Sequence, residues 1–457
     1  MKKWFRRILF TLLCIVLLLG ILFYAFYKRF VIEAPSIAYT QVSTLKEKQL
    51  QDLDYLSRYI TVDKSFDTDR KRHAFLEGID HLKKQVPFTT AAFEMQVAAL
   101  MSISNNTHTN VHPSRRARRL NAIPLRFYWF EEGLYVVMAQ KEHKHLLGKR
   151  IKKINGFEVV ELVLQLEKWF GGSAERLKFF SPLFLMSPEL MDAVHLGTDS
   201  TRLNLEFYDA NTILIAASET AKDKPGYWPQ LWLNPSAATS EAGWFSLAAH
   251  KATALPFQHL HQNVWHHFTD RGVYVQVNEN VDTETVKVSD YLNAVAEEAK
   301  EKKLAYAVLD LRFNSGGDYH MVRPFIAQME SHLEGKGNFY VILGNGTFSA
   351  GIITAALAKH TFGSKTKFVG EAVGDALQFW ADGGSPFILP NSKIQLRIWT
   401  AYHDWKNGCT DWRKCFWITL FDGVVVNHLD LDQKIPLRFQ DFISGKDTAL
   451  DHIIASE

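Results

Sequence analysis

The sequence predicts an α/β layered fold, and two patterns in its second half carry this prediction. Short apolar runs rich in β-branched residues, such as 305–312 and 338–343, are typical of buried strands. Segments with helical periodicity, such as 288–303 and 350–362, follow the runs in alternation. Because alternating strands and helices form layered cores with a partly parallel sheet, we expect one α/β domain over residues 254–457.

The candidate catalytic residues of this domain lie within residues 305–373. One predicted strand ends abruptly at Gly316 and Gly317, and the next is followed by a helix that begins at or near Ser349. A serine at such a place usually only caps the helix. Free backbone N–H groups at a helix N-terminus can also stabilise an oxyanion, and paired glycines let the backbone approach a substrate carbonyl. The combination makes Ser349 a candidate nucleophile.

Three elements, DLRFNSGGD, NGTFSAG and VGEAVG, occur in this order between Asp310 and Gly374. Together they resemble the tail-specific or C-terminal processing serine peptidases. The branch that they resemble more closely includes the tricorn core protease and bacterial relatives of interphotoreceptor retinoid-binding protein. The resemblance implies a ClpP/crotonase-like catalytic domain with Ser349 as nucleophile. It also implies that Ala350 and the pair Gly316 and Gly317 supply the oxyanion donors.

The general base is expected from a much earlier segment. Helical periodicity over 44–99 predicts a small bundle whose last helix is capped by Thr89 or Thr90. That helix leads into the turn SNNTHTNVHPSRR, at the place where the family has a D-G-H-T element. In the tricorn branch the histidine of this element is the base, so the resemblance assigns the role to His108, although no acidic residue precedes it. Imidazole is suited to take a proton from serine near neutral pH. His112 is a second candidate and is more simply interpreted as a surface residue.

The third catalytic residue is left open. In the bacterial and plant branch a lysine after the serine acts as base, but here Asp375 occupies roughly that position. A carboxylate cannot replace an ammonium that must lose its proton, which argues against a Ser-Lys dyad. The remaining scheme is a serine, a histidine and an orienting carboxylate. Glu371, Asp375 and Asp422 are the candidates for that carboxylate. Glu371 is preferred because the family motif places it near the serine, with a purely structural role as an equal alternative.

The N-terminus predicts a membrane anchor over residues 1–30. The cationic stretch MKKWFRR precedes an uncharged apolar run of about 20 residues, the length of a membrane-spanning helix. The lack of a small-residue cleavage site and the flanking Lys28 and Arg29 favour a retained anchor over a cleaved secretory signal, which is the alternative. The positive-inside rule then places the rest of the chain on the extracytoplasmic side, periplasmic or extracellular.

Between the anchor and the catalytic domain, three further regions are predicted. Residues 31–122 form the helical segment that carries the candidate base. Residues 123–224 are rich in predicted strands, and LLGKRIKKINGFEV within them resembles the carboxylate-binding edge and turn of a PDZ-like module. Such a module takes an extended peptide as an added strand, with a mere structural insert as the equal alternative. Residues 225–253, with their Pro, Gly, Ala and Ser, are predicted to be a linker.

Composition narrows the class of protein. An apolar share of 47% and a charged share of 22% are those of a globular protein. A net charge of +3 without a clustered basic face gives no reason to expect nucleic acid. The close pair Cys409 and Cys415, on an exported chain, predicts a small disulfide-closed loop, with two free thiols as the alternative. No metal site and no cofactor are predicted.

The sequence therefore predicts a membrane-anchored serine endopeptidase that hydrolyses peptide bonds in unfolded protein tails or peptides outside the cytoplasm. The rival is an inactive member of the family that binds peptides or apolar ligands in the same cleft. The missing lysine, the missing acid before His108, Ile352 where the family often has glutamate, and an aromatic share of 13% all favour that rival. No oligomeric state is predicted.

Overall fold

The N-terminal apolar run folds as one long helix, α1 (Lys2–Phe30), in a computed structural model that describes residues 2–116, 120–218, 228–236, 243–248, 253–302, 304–333 and 337–457. Within those ranges, the part Trp4–Phe30 is the one helix long and apolar enough to cross a bilayer, with a mean hydropathy of 2.9. Its apolar side chains are exposed along most of its length, whereas Phe30 at its end is buried against the rest of the protein. The helix is thus a candidate membrane span whose last turn docks on the folded part of the chain.

The predicted N-terminal helices form, and threonines cap three of them. Thr44, Thr68 and Thr89 each accept a hydrogen bond from a backbone N–H of the first turn that follows. The bundle is not self-contained, because its apolar faces share a core with Phe387 and Ile398 of a later hairpin. The helices are α2 (Leu45–Ser57), α3 (Tyr59–Val62), α4 (Asp69–Gln85), α5 (Thr90–Ser102) and α6 (Pro113–Arg116).

The β-rich region is an antiparallel sheet packed against helices. Its strands are β1 (Leu125–Phe130), β2 (Gly133–Gln140), β3 (Arg150–Ile154), β4 (Phe157–Glu158), β5 (Arg202–Phe207) and β6 (Thr212–Ala216), with the main order β1-β2-β3-β5-β6. Helices α7 (Val159–Leu166), α8 (Ala174–Leu185) and α9 (Pro188–Ala193) lie between β4 and β5. Helix α8 is not predicted from the sequence, although most of its side chains are buried.

The linker prediction is wrong for the described part of 225–253. Strand β7 (Trp244–Ser246) pairs antiparallel with β2, and a 3-10 turn at Pro229–Leu233 buries Trp232 in the same core. The apolar burial of tryptophans therefore outweighs the loop-like composition around them. The rest of that segment lies outside the described residues.

The second half of the chain forms the predicted α/β core. Its strands are β8 (Val264–Phe268), β9 (Gly272–Val277), β10 (Tyr306–Asp310), β11 (Asn338–Leu343) and β12 (Thr366–Gly370). Strands β9 to β12 run parallel to one another, while β8 pairs antiparallel with β9. The helices are α10 (Leu255–Gln258), α11 (Val288–Lys302), α12 (Arg323–His332) and α13 (Ala350–Phe362). Because β10 to β12 are parallel, the loops after them emerge at one edge of the sheet.

A long hairpin and two short helices complete the domain. Strands β13 (Gln378–Ile388) and β14 (Gln395–Asp404) pair antiparallel, and a disulfide between Cys409 and Cys415 closes the loop that follows. Strand β15 (Gln433–Lys434) adds to β12, which gives the order β15-β12-β11-β10-β9-β8 in the described part of the sheet. Helices α14 (Phe439–Ser444) and α15 (Thr448–Ser456) end the chain.

A buried ion network joins this sheet to α15. The Arg312 guanidinium contacts Asp310 at 2.8 Å and Asp447 at 2.8 Å, and the Tyr274 hydroxyl donates to Asp310 at 2.6 Å. All four side chains are buried. Removing one side chain leaves buried polar groups of its neighbours without hydrogen-bond partners, so the network is costly to break.

We expect Asp447→Ala to lower the free energy of unfolding of this domain by about 2–5 kcal/mol, because it removes two hydrogen bonds of Arg312 and the N-cap of α15. Chemical denaturation of the full chain in detergent measures the change. Asp451→Ala, in the same helix and exposed, is the matched control and should change stability by less than about 1 kcal/mol. Equal effects of the two variants would contradict a special contribution of the network.

Candidate active site

Ser349 lies at the junction between the loop after β11 and helix α13, as predicted. Its backbone has φ 54° and ψ −121°, a conformation that residues with a side chain rarely adopt. Its hydroxyl makes no capping bond to the helix. Such strain costs about 1–3 kcal/mol and persists only where the surroundings impose it, often at functional sites. The serine is therefore held in a special backbone conformation without serving as a helix cap.

Asn314 holds the two loops of the site together from within the core. Its carbonyl oxygen accepts a hydrogen bond from the Phe348 N–H at 2.9 Å, next to the serine. Its side-chain Oδ1 accepts from the Gly316 N–H at 3.0 Å. Its Nδ2 donates to the Val277 carbonyl oxygen at 2.9 Å and to Asn280 Oδ1 at 2.7 Å. Because Asn314 is fully buried, these bonds fix the glycine loop relative to Ser349.

The glycine loop approaches the serine more closely than any other residue type would allow. Gly316 has φ +116°, and a Cβ on it would lie 2.8 Å from the Ser349 Cβ. Gly317 has φ +121°, and a Cβ there would collide with the Asn280 carbonyl oxygen. The N–H of Gly316 is engaged by Asn314, whereas the N–H groups of Gly317 and Ala350 meet no acceptor among the described residues. Gly317 and Ala350 are thus the two available donors of the three predicted.

His108 is delivered by the N-T-H-T turn, which is anchored on the hairpin. Asn106 exchanges two hydrogen bonds of 3.0 Å with the backbone of Trp380. The indole N–H of Trp399 donates to the His108 carbonyl oxygen at 2.7 Å. These bonds join residues about 270 to 290 positions apart in sequence. The turn therefore keeps its place only when the hairpin is folded beside it.

The His108 ring is buried and faces one carboxylate. It lies between the rings of Phe348 and Phe379, at centroid distances of 4.3 and 5.0 Å. Its Nδ1 is 3.6 Å from Asp375 Oδ2, and neither atom has a hydrogen-bond partner among the described residues. The other oxygen, Asp375 Oδ1, accepts from the Thr107 hydroxyl at 2.8 Å. A buried imidazole and a buried carboxylate that face each other without competing partners are suited to form one hydrogen bond.

Ser349 and His108 line the same cleft. No hydrogen bond joins them, since both ring nitrogens of His108 lack a partner within the described residues. The cleft has a volume of about 210 Å³. Its other walls are mostly aromatic, and they include Phe170, Phe180, Trp228, Phe348 and Trp399.

Arg176 of α8 adds a buried positive charge to this cleft. Its Nη1 donates to the Gly346 carbonyl oxygen at 3.0 Å, and its guanidinium lies 4.2 Å from the Phe348 ring centroid. Burial lowers the pKa of Arg176 to about 9, and the nearby Asp375 carboxylate counteracts part of that shift. The side chain still carries its charge at neutral pH. Arg176 is not among the predicted site residues because α8 itself was not predicted.

The other candidates lie elsewhere. Glu371 lines a separate cavity with Tyr128, Lys178 and Arg312, where burial raises its pKa. Asp422 accepts hydrogen bonds from Tyr319 and Arg323, away from the cleft. The structure therefore does not bring Glu371 or Asp422 to His108.

His112 lines the cleft, with its ring 5.2 Å from that of Phe180 and 5.5 Å from that of Trp228. The prediction of a surface residue does not describe it, because it is half-buried among aromatic rings. It lies farther along the turn than His108.

Comparison with known proteins bears on the fold. No family model and no curated protein matches the sequence. Among solved structures, mature CPAF in complex with lactacystin matches 90% of this chain and 98% of its own, with a TM-score of 0.56 and 10% identity. The photosystem II D1 C-terminal processing protease matches 84% of this chain and 99% of its own, with a TM-score of 0.34 and 11% identity. A putative S41 protease from Bacteroides fragilis matches 74% of this chain and 83% of its own, with a TM-score of 0.30 and 11% identity.

Of these three similarities, that to CPAF is close enough to carry an argument. The chain shares its fold with CPAF over almost its whole length, at an identity that shows the fold alone. This similarity confirms, at the level of the fold, the predicted resemblance to tail-specific peptidases.

We expect Gly316→Ala to abolish any serine-dependent activity and to lower stability by at least about 1 kcal/mol, because its Cβ has no room beside Ser349. Gly156→Ala is the matched control, since Gly156 also has a positive φ but has no atom within 4 Å of the added Cβ. Labelling of the folded variants by a fluorophosphonate probe, together with thermal unfolding, measures both effects. Retained labelling of Gly316→Ala would contradict the close packing of the two loops.

Proposed function

We propose that this protein is a membrane-anchored serine endopeptidase that cleaves unfolded protein tails or peptides outside the cytoplasm. One observation carries the proposal: the strained Ser349 and the buried His108 line one cleft, with Asp375 directly behind the histidine. The shared fold with CPAF supports it. A serine, a histidine and a carboxylate brought together from three separate segments match the logic of a catalytic triad.

In the proposed mechanism, Ser349 Oγ attacks the substrate carbonyl while His108 Nε2 takes the hydroxyl proton. Asp375 Oδ2 accepts a hydrogen bond from Nδ1–H and stabilises the imidazolium that forms. The N–H groups of Ala350 and Gly317 stabilise the oxyanion. The imidazolium then returns its proton to the leaving amine, and water hydrolyses the acyl-enzyme by the same steps. In this scheme the His108–Asp375 contact of 3.6 Å shortens and the Ser349–His108 hydrogen bond forms when substrate is bound.

The choice of Asp375 resolves two departures from the family pattern at once. The histidine has no acid before it in sequence, and the expected lysine position holds an aspartate. Asp375, at the position of the family's lysine, then provides the acid that is absent before His108. A lysine there would face His108 with a like charge, so the two arrangements exclude each other.

The cleft and the β-rich module suggest how a peptide is held. Aromatic walls favour apolar side chains of an extended substrate. A second groove of about 460 Å³ runs beside α7, where Val160 and Leu164 are exposed, and it is bordered by β3 and Tyr208. We assign to this groove the peptide-binding role of a PDZ-like module.

Topology follows from α1. A retained helix with cations ahead of it places the catalytic domain on the extracytoplasmic side. The disulfide between Cys409 and Cys415 is suited to that oxidising side.

A second candidate function, ligand binding without catalysis, is favoured by the aromatic lining of the cleft and by the absence of a Ser349–His108 hydrogen bond within the described residues. In that case an apolar ligand or peptide would occupy the same space. The two functions differ in whether Ser349 reacts covalently.

We expect a fluorophosphonate probe to label the native protein and not Ser349→Ala, because only an activated serine reacts at a useful rate. Intact-mass spectrometry after labelling measures the adduct. Ser331→Ala, on α12, is the matched control and should label as the native chain does. Equal labelling of native protein and Ser349→Ala excludes Ser349 as nucleophile, and no labelling of either favours the ligand-binding function.

We expect Asp375→Asn to slow peptide hydrolysis by about 10²–10⁴-fold, because an amide cannot stabilise the imidazolium. Glu371→Gln should change the rate by less than about tenfold, since Glu371 lies in another cavity. Steady-state cleavage of a fluorogenic peptide measures kcat for both variants. The reverse order of effects would return the orienting role to Glu371.

A further inference from the structure

We propose that residues 412–425, the aromatic loop, form a second membrane contact that lies in the outer lipid interface beside α1. The inference rests on the proposed anchoring of α1 in a bilayer. Its partner is a phospholipid surface, and its contact residues are Trp412, Ile418, Phe421 and Val425.

The aromatic loop presents apolar side chains without protein cover. Phe421 is 89% exposed, Trp412 57%, Val425 47% and Ile418 44%. Single exposed apolar residues are ordinary on a protein surface, but four within fourteen positions form a patch. Because exposing such a patch to water is unfavourable, we expect the patch to contact an apolar environment.

The position of the loop identifies that phase. Phe26 near the end of α1 lies 5.7 Å from the Phe416 ring and 6.1 Å from the Trp417 ring, and Phe30 lies 5.3 and 5.7 Å from the same two rings. A bilayer core is spanned by about 20 helical residues, so the apolar run of α1 ends at this level. The aromatic loop is therefore level with the place where α1 leaves the lipid.

The loop is ordered before any membrane contact. The disulfide Cys409–Cys415 closes its start, and the Trp417 indole N–H donates to the Trp412 carbonyl oxygen at 2.8 Å. The Phe416 N–H donates to the Tyr402 carbonyl oxygen of β14 at 2.9 Å. A loop fixed in this way loses little conformational entropy when it enters an interface.

Charge and residue type fit a lipid interface more than a protein partner. Tryptophan and phenylalanine are enriched where membranes meet water. Arg413 and Lys414 lie within the loop, as does Asp422, so charges of both signs are present. The contact therefore depends on apolar burial and not on the headgroup charge.

The test uses the full chain in phosphatidylcholine vesicles that contain nitroxide-labelled lipids. A polarity-sensitive fluorophore is attached to Phe421→Cys in a Cys14→Ser background, under conditions that keep the disulfide closed. We expect a blue-shifted emission and quenching by shallow nitroxides at least several-fold stronger than for Ser456→Cys, an exposed position on α15. Trp412→Cys in the same background should give the same result and guards against a local effect of one substitution.

The native Cys14, exposed in the middle of α1, separates the inference from its premise. In an otherwise unchanged chain, a fluorophore on Cys14 should be quenched by deep nitroxides. If Cys14 reports lipid while positions 421 and 412 report water, the membrane contact of the loop is overturned and the anchor stands. If Cys14 also reports water, anchoring fails and the inference fails with it. Neither result alters the fluorophosphonate test of catalysis.

Discussion

The candidate site depends on one buried residue, Asn314, which hydrogen-bonds to both loops that form it. Its main chain holds the residue before Ser349, and its carboxamide holds Gly316. An amide in a dry interior must satisfy both its donor and its acceptor groups, so the Asn314 carboxamide fixes the glycine loop against Val277 and Asn280. The parallel strands bring the loops to one edge of the sheet, and Asn314 fixes their spacing there.

The candidate base, His108, is held by tertiary contacts and not by the sheet. His108 belongs to a segment that is remote in sequence from the serine, and it is positioned by the hairpin through Asn106 and Trp399. Packing between aromatic rings fixes the plane of the imidazole, while the Asp375 carboxylate lies next to its Nδ1. Ser349 is thus positioned by the sheet, whereas His108 is positioned by tertiary contacts between the helical segment and the hairpin. A family resemblance could assign the histidine, but the contacts that hold it involve residues with no local signal in the sequence.

The parts of the structure that could be predicted are those with local patterns. Alternating apolar strands, the Thr89 cap and the turn into Ser349 follow from short-range physical rules, and they occur where expected. The carboxylate partner was a different problem, since Glu371 and Asp375 are four residues apart and only the path of the chain decides which one faces His108. Helix α8 escaped prediction because it buries polar Arg176 and Ser181 along with its apolar side chains, which leaves no clear amphipathic pattern. The supposed linker contains Trp244, whose burial in a strand is a tertiary effect that composition conceals.

Strand β14 links the end of α1 to the candidate base through two consecutive residues. Thr400 donates its hydroxyl hydrogen to the Phe30 carbonyl oxygen at the end of α1, at 2.7 Å, while Trp399 holds the carbonyl of His108. Consecutive side chains of a strand point to opposite faces, so the strand acts as a short lever between them. In the proposed anchored state, a change in the tilt of α1, such as a thinner or thicker bilayer imposes, acts on the strand that also holds the His108 carbonyl oxygen. Bilayer thickness is then coupled to the geometry of the cleft.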